Sequence, residues 1–127
     1  MKYLAVLFLL IAPAPNMDCS HFKTGKFISN FCIRHKCDCS LVRLNDSVQV
    51  EEISYKSHYA KSYYDVVWKS DCHYVLVYSY TIGEVGAYRK GDSIDVVIDK
   101  VLTDSSIRVK ISFKDQLTYD TMTKRDQ

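Results

Sequence analysis

The residues best suited to chemistry form a short cysteine-rich stretch, with three cysteines and one histidine close together in the chain. Cys32, His35, Cys37 and Cys39 offer thiolate and imidazole groups that could bind Zn²⁺ or Cu⁺. Their spacing matches no standard zinc finger, and the thiols of exported proteins tend to oxidise. We therefore expect a disulfide here, joining Cys32 to Cys39 or to Cys37, with metal binding as the alternative.

The chain has five cysteines, and the other two are Cys19 and Cys72. An odd number leaves one cysteine outside any internal pair. The residues alone do not choose among the possible arrangements. Only a bond between Cys37 and Cys39 is disfavoured by the spacing, because a single intervening residue would make a very strained ring.

A second candidate chemistry is recognition by aromatic side chains, since many of the ten tyrosines cluster around residues 63–80. We expect Tyr64, Trp68, Tyr74 and Tyr78 to form a ligand cup or a partner surface. Tyrosine suits such a surface because it combines apolar area with a polar hydroxyl group. Core packing is the alternative interpretation, because tyrosine also favours strands.

The sequence carries no pattern of a catalytic site. His21, His58 and His73 are scattered, and no Ser/His/Asp or Cys/His set has a strand–turn–helix context. The chain also lacks a glycine-rich phosphate loop and the spacing of a calcium loop. We therefore expect a protein that is not an enzyme and has no cofactor.

The charge balance argues against nucleic acid as a partner. The chain has 17 basic and 15 acidic residues, without a cluster of Lys and Arg of the kind that phosphate backbones require.

The N-terminus predicts export. Lys2 is followed by an apolar run at residues 3–11 and by small residues at 12–15. The run is shorter than the roughly 20 residues that span a bilayer. We expect a signal peptide at 1–18 and a single β domain at 19–127, located in the periplasm, at the cell surface or outside the cell. A lipoprotein acylated at Cys19 ranks lower, because residues 16–18 lack the small side chains of such a site.

Alternating apolar and polar residues predict strands along most of the mature chain. In the first, at residues 19–27, Gly25 would form a bulge that turns Phe22 and Phe27 to one face. Residues 29–40 are expected to be a cysteine-rich inserted loop. A hairpin follows at 41–44 and 48–53, with its valines on one face and with Gln49 and Glu51 on the other.

Residues 63–80 predict the central hairpin, because they form the densest aromatic surface of the chain. Two sets of residues should each share one face, with Trp68 in the core: Tyr64, Val66 and Trp68 in the first strand, and Tyr74, Leu76, Tyr78 and Tyr80 in the second.

The C-terminal third predicts three more strands. Residues 93–101 place Ile94, Val96 and Ile98 on one face, residues 107–113 alternate in the same way, and residues 117–122 should be an edge strand. The fold class is therefore all-β. It is an antiparallel meander of about seven or eight strands, curled into an open or closed lipocalin-like barrel or folded as a small sandwich.

Several segments together carry a resemblance to a known family. They are residues 22–27 (FKTGKF), 43–51 (RLNDSVQVE) and 67–74 (VWKSDCHY), and Gly91-Asp92 before a β-branched strand. The chain resembles a family of small exported β-rich proteins of Bacteroidetes, some of which are automatically labelled topoisomerase IV. That family has no established activity, and this chain is far too short for a topoisomerase.

The resemblance implies that Cys19 and Cys72 are the recurrent pair of the family and form a disulfide. Such a bond would close a loop of about 50 residues and stabilise the fold by roughly 4 kcal/mol. The loop from Cys32 to Cys39 departs from the family pattern.

We expect a monomeric, non-enzymatic module of the cell envelope that binds a small apolar ligand or a protein partner, or that has a structural role. The alternative is a metal-binding or redox-active thiol protein that uses the loop from Cys32 to Cys39.

Overall fold

The computed structural model describes residues 18–30, 34 and 36–125. A 3₁₀ helix, Ser20–Phe22, precedes eight strands. The strands are β1 (Gly25–Ser29), β2 (Asp38–Asn45), β3 (Val48–Tyr55), β4 (His58–Ser70), β5 (His73–Gly83), β6 (Ser93–Val101), β7 (Ser106–Phe113) and β8 (Gln116–Arg125). The predicted signal peptide falls almost entirely outside the described residues.

The eight strands form a closed antiparallel barrel, in which each strand pairs with its neighbours in sequence and β1 also pairs with β8. This confirms the all-β meander and selects the closed barrel among the predicted forms. The expectation that β8 is an edge strand is wrong, because Phe27 of β1 pairs with Lys124 of β8. Closure pairs each of the eight strands with two neighbours.

The beginning of the domain differs from the predicted bulged strand. Phe22 ends the 3₁₀ helix and Phe27 lies in β1, and both side chains are buried. Gly25 has a φ of 123°, which lets the chain turn from the helix into β1. The Lys124 ammonium donates to the His21 carbonyl (2.7 Å), which holds the helix against the barrel.

A disulfide between Cys19 and Cys72 joins this helix to the β4–β5 turn. The two Cα atoms are 5.2 Å apart, and Cys19 is fully buried. The pair that the resemblance implied is therefore present. The predicted loop at 29–40 is shorter than expected, since β1 continues through Ser29 and β2 begins at Asp38.

The central hairpin, β4 and β5, has the expected inner face except at one residue. Tyr64, Tyr74 and Tyr78 are buried, and Trp68 is half-buried against the core. Tyr80 was expected on the same face but is 52% exposed. The reason is a bulge: Tyr64 pairs with Tyr78 whereas the adjacent Tyr63 pairs with Tyr80, so the face alternation shifts by one residue.

The late strands follow their predicted alternation. Ile94, Val96 and Ile98 of β6 are buried, as are Ile107 and Val109 of β7. Among the described residues, no helix is long and apolar enough to cross a membrane.

We predict that replacing both Cys19 and Cys72 by Ala lowers the free energy of unfolding by roughly 4 kcal/mol, because the unfolded chain loses a 53-residue cross-link. Urea unfolding under non-reducing conditions measures this difference. Lys69→Ala, at an exposed site near the same turn, is the control and should leave stability unchanged. A double variant as stable as the wild type would show that the disulfide does not restrain the unfolded chain.

Candidate functional site

The barrel encloses a cavity of about 420 Å³. The cavity occupies the half of the barrel that carries the β1–β2, β3–β4, β5–β6 and β7–β8 connections. Fully buried side chains, among them Phe22, Phe27, Ile98 and Ile107, fill the other half. The barrel interior is therefore divided into a packed end and a hollow end. The aliphatic wall of the hollow end consists of Leu41, Ile53, Ala60, Leu76, Ile94, Val96, Ile111 and Met122.

A buried arginine lies at the boundary between the two halves. Arg43 is 1% exposed and donates three hydrogen bonds: from Nε to Gln49 Oε1 (3.0 Å), from Nη2 to the Tyr74 hydroxyl (2.5 Å) and from Nη1 to the Phe22 carbonyl. Its guanidinium carbon lies 4.8 Å from the centre of the Phe27 ring and 5.5 Å from that of Trp68. Hydrogen bonds and aromatic faces thus compensate for the burial of this charge.

The β2–β3 hairpin places Arg43 inside the barrel. Asn45 Oδ1 accepts hydrogen bonds from the Ser47 and Val48 amides, which fixes the turn. In the resulting register Arg43 pairs with Gln49, and Leu44 is left 68% exposed. The hairpin therefore turns its polar residues inward.

In β3, the predicted face that carries Gln49 and Glu51 is the one that points into the barrel. Gln49 is fully buried, and Glu51 borders the cavity. Because Gln49 Oε1 accepts from Arg43, the amide nitrogen of Gln49 faces the other way and donates to Glu51 Oε2 (3.0 Å). One hydrogen-bonded row thus leads from the guanidinium group to the cavity.

Burial raises the pKa of Glu51 above its ordinary value, although the hydrogen bond from Gln49 and the charge of Arg43 oppose this shift. Burial also raises the pKa values of Tyr64, Tyr74 and Tyr88, and the nearby Glu51 charge acts in the same direction on all three. A phenol is already neutral at physiological pH at its ordinary pKa of 10.0, and these shifts take the three phenols further from ionisation.

Tyr88 reaches the site from the β5–β6 connection. Its ring packs edge-on against Phe113 (4.8 Å between ring centres) and against Tyr64 (6.4 Å). The Glu84 amide donates to the Tyr59 carbonyl (2.9 Å), which ties the start of this connection to β4. The loop thereby contributes an aromatic side chain to the outer part of the cavity.

Of the four aromatic residues expected to form a ligand surface, two line the cavity. They are Tyr64 and Tyr74. Tyr78 is buried against Tyr64 (5.7 Å between ring centres). Trp68 lies toward the packed end, where its indole nitrogen donates to the Asp46 carbonyl (2.8 Å) and its ring packs on Tyr74 (4.6 Å).

The sequence-based prediction missed Arg43, Gln49 and Glu51 as site residues and did not single out Tyr88. The first three occupy positions of one parity on either side of the β2–β3 turn, together with Leu41. That shared parity is the signal that could have placed them on one face.

The cysteine-rich stretch is described only in part. Cys39 is disulfide-bonded and also borders the cavity. The sulfur of Cys37 lies 3.8 Å from that of Cys39, which is a contact and not a bond. Cys32 and His35 lie outside the described residues, so the pairing of Cys32 and the alternative metal site both stay predictions. In the described part of the chain, no three metal-ligating side chains come together.

No protein-family model, curated protein or solved structure matches the chain. The chemistry of the cavity therefore has to be inferred from its own residues.

We predict that Arg43→Met lowers the free energy of unfolding by about 3 kcal/mol, because three interior acceptors lose their donor. Arg43→Lys keeps the positive charge but lacks the planar guanidinium group with its several donors. It should therefore recover only part of the lost free energy of unfolding. Urea unfolding measures both changes. The matched control is Arg108→Met, whose exposed pair with Asp99 (2.8 Å) should contribute less than about 1 kcal/mol. Equal effects at the two arginines would contradict a structural role for the buried one.

The raised pKa of Glu51 predicts a pH-dependent stability. As pH rises above 4.5, the ordinary pKa of Glu, the unfolded state releases this proton before the folded state does. As pH rises from 4.5 through the folded-state pKa of Glu51, the wild type should therefore lose stability relative to Glu51→Gln. The stabilising contribution of the protonated Glu51 is fully present only below pH 4.5. Urea unfolding of both proteins at pH values from about 4 to 8 measures the difference. A difference that does not change with pH would contradict the prediction.

Proposed function

We propose that this chain is an exported, non-enzymatic binding protein that holds a small, predominantly apolar molecule inside the barrel. The observation that carries the proposal is the cavity of about 420 Å³, which lies within the range of roughly 300–1,000 Å³ typical of small-molecule sites. An eight-stranded barrel has an interior wide enough to hold one small ligand.

The composition of the cavity wall supports an apolar ligand. Buried aliphatic residues from four different strands, Leu41, Leu76, Ile94 and Met122, surround the space. Polar side chains, among them Gln49 and Glu51 of one hydrogen-bonded row, contribute the smaller part of the exposed wall. A predominantly apolar wall with polar groups at particular places is typical of ligand-binding cavities.

Binding without catalysis fits the polar groups of the wall. Burial raises the pKa values of the Tyr64 and Tyr88 phenols, and the lining carboxyl groups of Glu51 and Glu52 accept hydrogen bonds from Gln49 and Tyr59. Asp120, nearer the outer end, accepts a hydrogen bond from Ser29 (2.6 Å). We take these carboxyl groups, each already hydrogen-bonded to the protein, to orient a bound molecule rather than to transfer protons to it.

Export is proposed from the apolar N-terminus, from the resemblance to small exported proteins of Bacteroidetes and from the Cys19–Cys72 disulfide, since such bonds persist in oxidising compartments. Because the sulfur of Cys19 is bonded to Cys72, it is not available for acylation. We therefore propose plain export of a monomer to the cell envelope or the medium.

The proposal predicts that the neutral probe N-phenyl-1-naphthylamine binds in the cavity and becomes more fluorescent there, and that octanol displaces it. Ala60→Trp fills part of the cavity and should weaken probe binding by about tenfold or more, because the space is lost. Fluorescence titration measures both affinities, and thermal unfolding checks that the variants remain folded.

Lys61→Trp is the matched control, because it adds the same ring to the neighbouring position on the opposite face of β4. This variant should bind the probe as the wild type does. A wild type that does not bind the probe, or equal binding by the two tryptophan variants, would overturn the cavity as the binding site.

A further inference from the structure

We propose that the molecule held in the cavity carries an ammonium group and that Glu51 recognises this group. The inference rests on the proposed function, because it names the polar part of the ligand that occupies the same cavity.

The carboxylate of Glu51 lines the cavity, whereas the guanidinium group of Arg43 does not. Glu51, Gln49 and Tyr74 all border the space, whereas Arg43 is not a lining residue and makes its three hydrogen bonds to Gln49, Tyr74 and the Phe22 carbonyl. Three carboxylates, those of Glu51, Glu52 and Asp120, line the space together with one cationic side chain, the exposed Arg34, so the charge of the lining disfavours an anionic ligand. A cationic ligand meets the charge that complements it.

The Glu51 carboxylate has unused capacity to accept hydrogen bonds. Within the described residues, Gln49 is its single donor, and that bond goes to Oε2. A carboxylate has about four acceptor positions, and an ammonium group has three donors. Because the amide of Gln49 is oriented by Arg43, the carboxylate is held in place with Oε1 still able to accept from a ligand.

The rings beside Glu51 suit an organic cation. Tyr64 and Tyr88 stand nearly perpendicular to each other, with an interplanar angle of 78°. Both phenols are neutral, so their ring faces attract a cation without carrying a competing charge. The aliphatic wall accommodates the rest of the molecule, which we therefore infer to be an amine with an apolar chain or ring.

The energetic reason for the pairing is the cost of a buried carboxylate. An ionised Glu51 in the empty cavity is poorly solvated, and the ligand ammonium would supply the opposite charge and the missing hydrogen bonds. The positive charge of Arg43 weakens the attraction between Glu51 and the ligand ammonium. It does not supply the missing hydrogen bonds, because the three hydrogen bonds of its guanidinium go to Gln49, Phe22 and Tyr74.

Calorimetric titration with octylammonium, octanol and octanoate tests the inference, because these probes share one chain and differ in their head group. The wild type should bind octylammonium at least about tenfold more tightly than octanol, and octanoate more weakly than both. Glu51→Gln should lose this preference for the amine and retain binding of octanol, which also shows that its cavity is intact.

Glu84→Gln is the matched control, because it removes the same charge from an exposed carboxylate that does not line the cavity and that contacts His58 (2.7 Å). It should keep the amine preference. Octanol binding without any amine preference, or a preference lost equally in both variants, would overturn the inference and leave the proposed function standing. Failure of all three probes to bind the wild type would overturn both.

Discussion

The fold depends on the enclosure of one positive charge. Arg43 is the largest fully buried side chain of the barrel, and its guanidinium group binds the 3₁₀ helix through Phe22, β3 through Gln49 and β5 through Tyr74. A buried charge is tolerated only where its hydrogen bonds are made, so these elements must meet at one place. Among the described residues, no buried side-chain nitrogen or oxygen lacks a partner.

This constraint divides the barrel into its packed half and its hollow half. On one side of Arg43, aromatic rings and the disulfide from Cys19 to Cys72 close the barrel, and the Ile98 amide donates to the Cys72 carbonyl (2.8 Å). On the other side, the Arg43 guanidinium orients the Gln49 amide, and this amide donates a hydrogen bond to Glu51. The packed end thereby determines how the polar side chains at the boundary are oriented toward the cavity.

Where the inner face is wholly apolar, the sequence predicts the structure well, and β6 and β7 are the examples. In β3, period-two alternation separates two faces but does not say which is inside, and hydropathy favours the valines over Gln49 and Glu51. Gln49 and Glu51 point inward because Gln49 is hydrogen-bonded to the buried Arg43 and Glu51 to Gln49, and an alternating residue pattern does not reveal such bonds. The outward turn of Tyr80 depends on a bulge that carries no glycine signal. The pairing of Cys19 with Cys72 was predicted through the family resemblance, because counting cysteines leaves it open.

We propose that Glu51 pairs with a cation inside the barrel. Carbon-detected NMR of the Glu51 carboxyl carbon tests this pairing, by following the resonance over a pH titration with and without octylammonium. Such a pairing predicts a raised pKa for Glu51 in the free protein and a lower pKa when octylammonium is bound, with no such change for octanol. A Glu51 pKa that octylammonium leaves unchanged at saturation would contradict it.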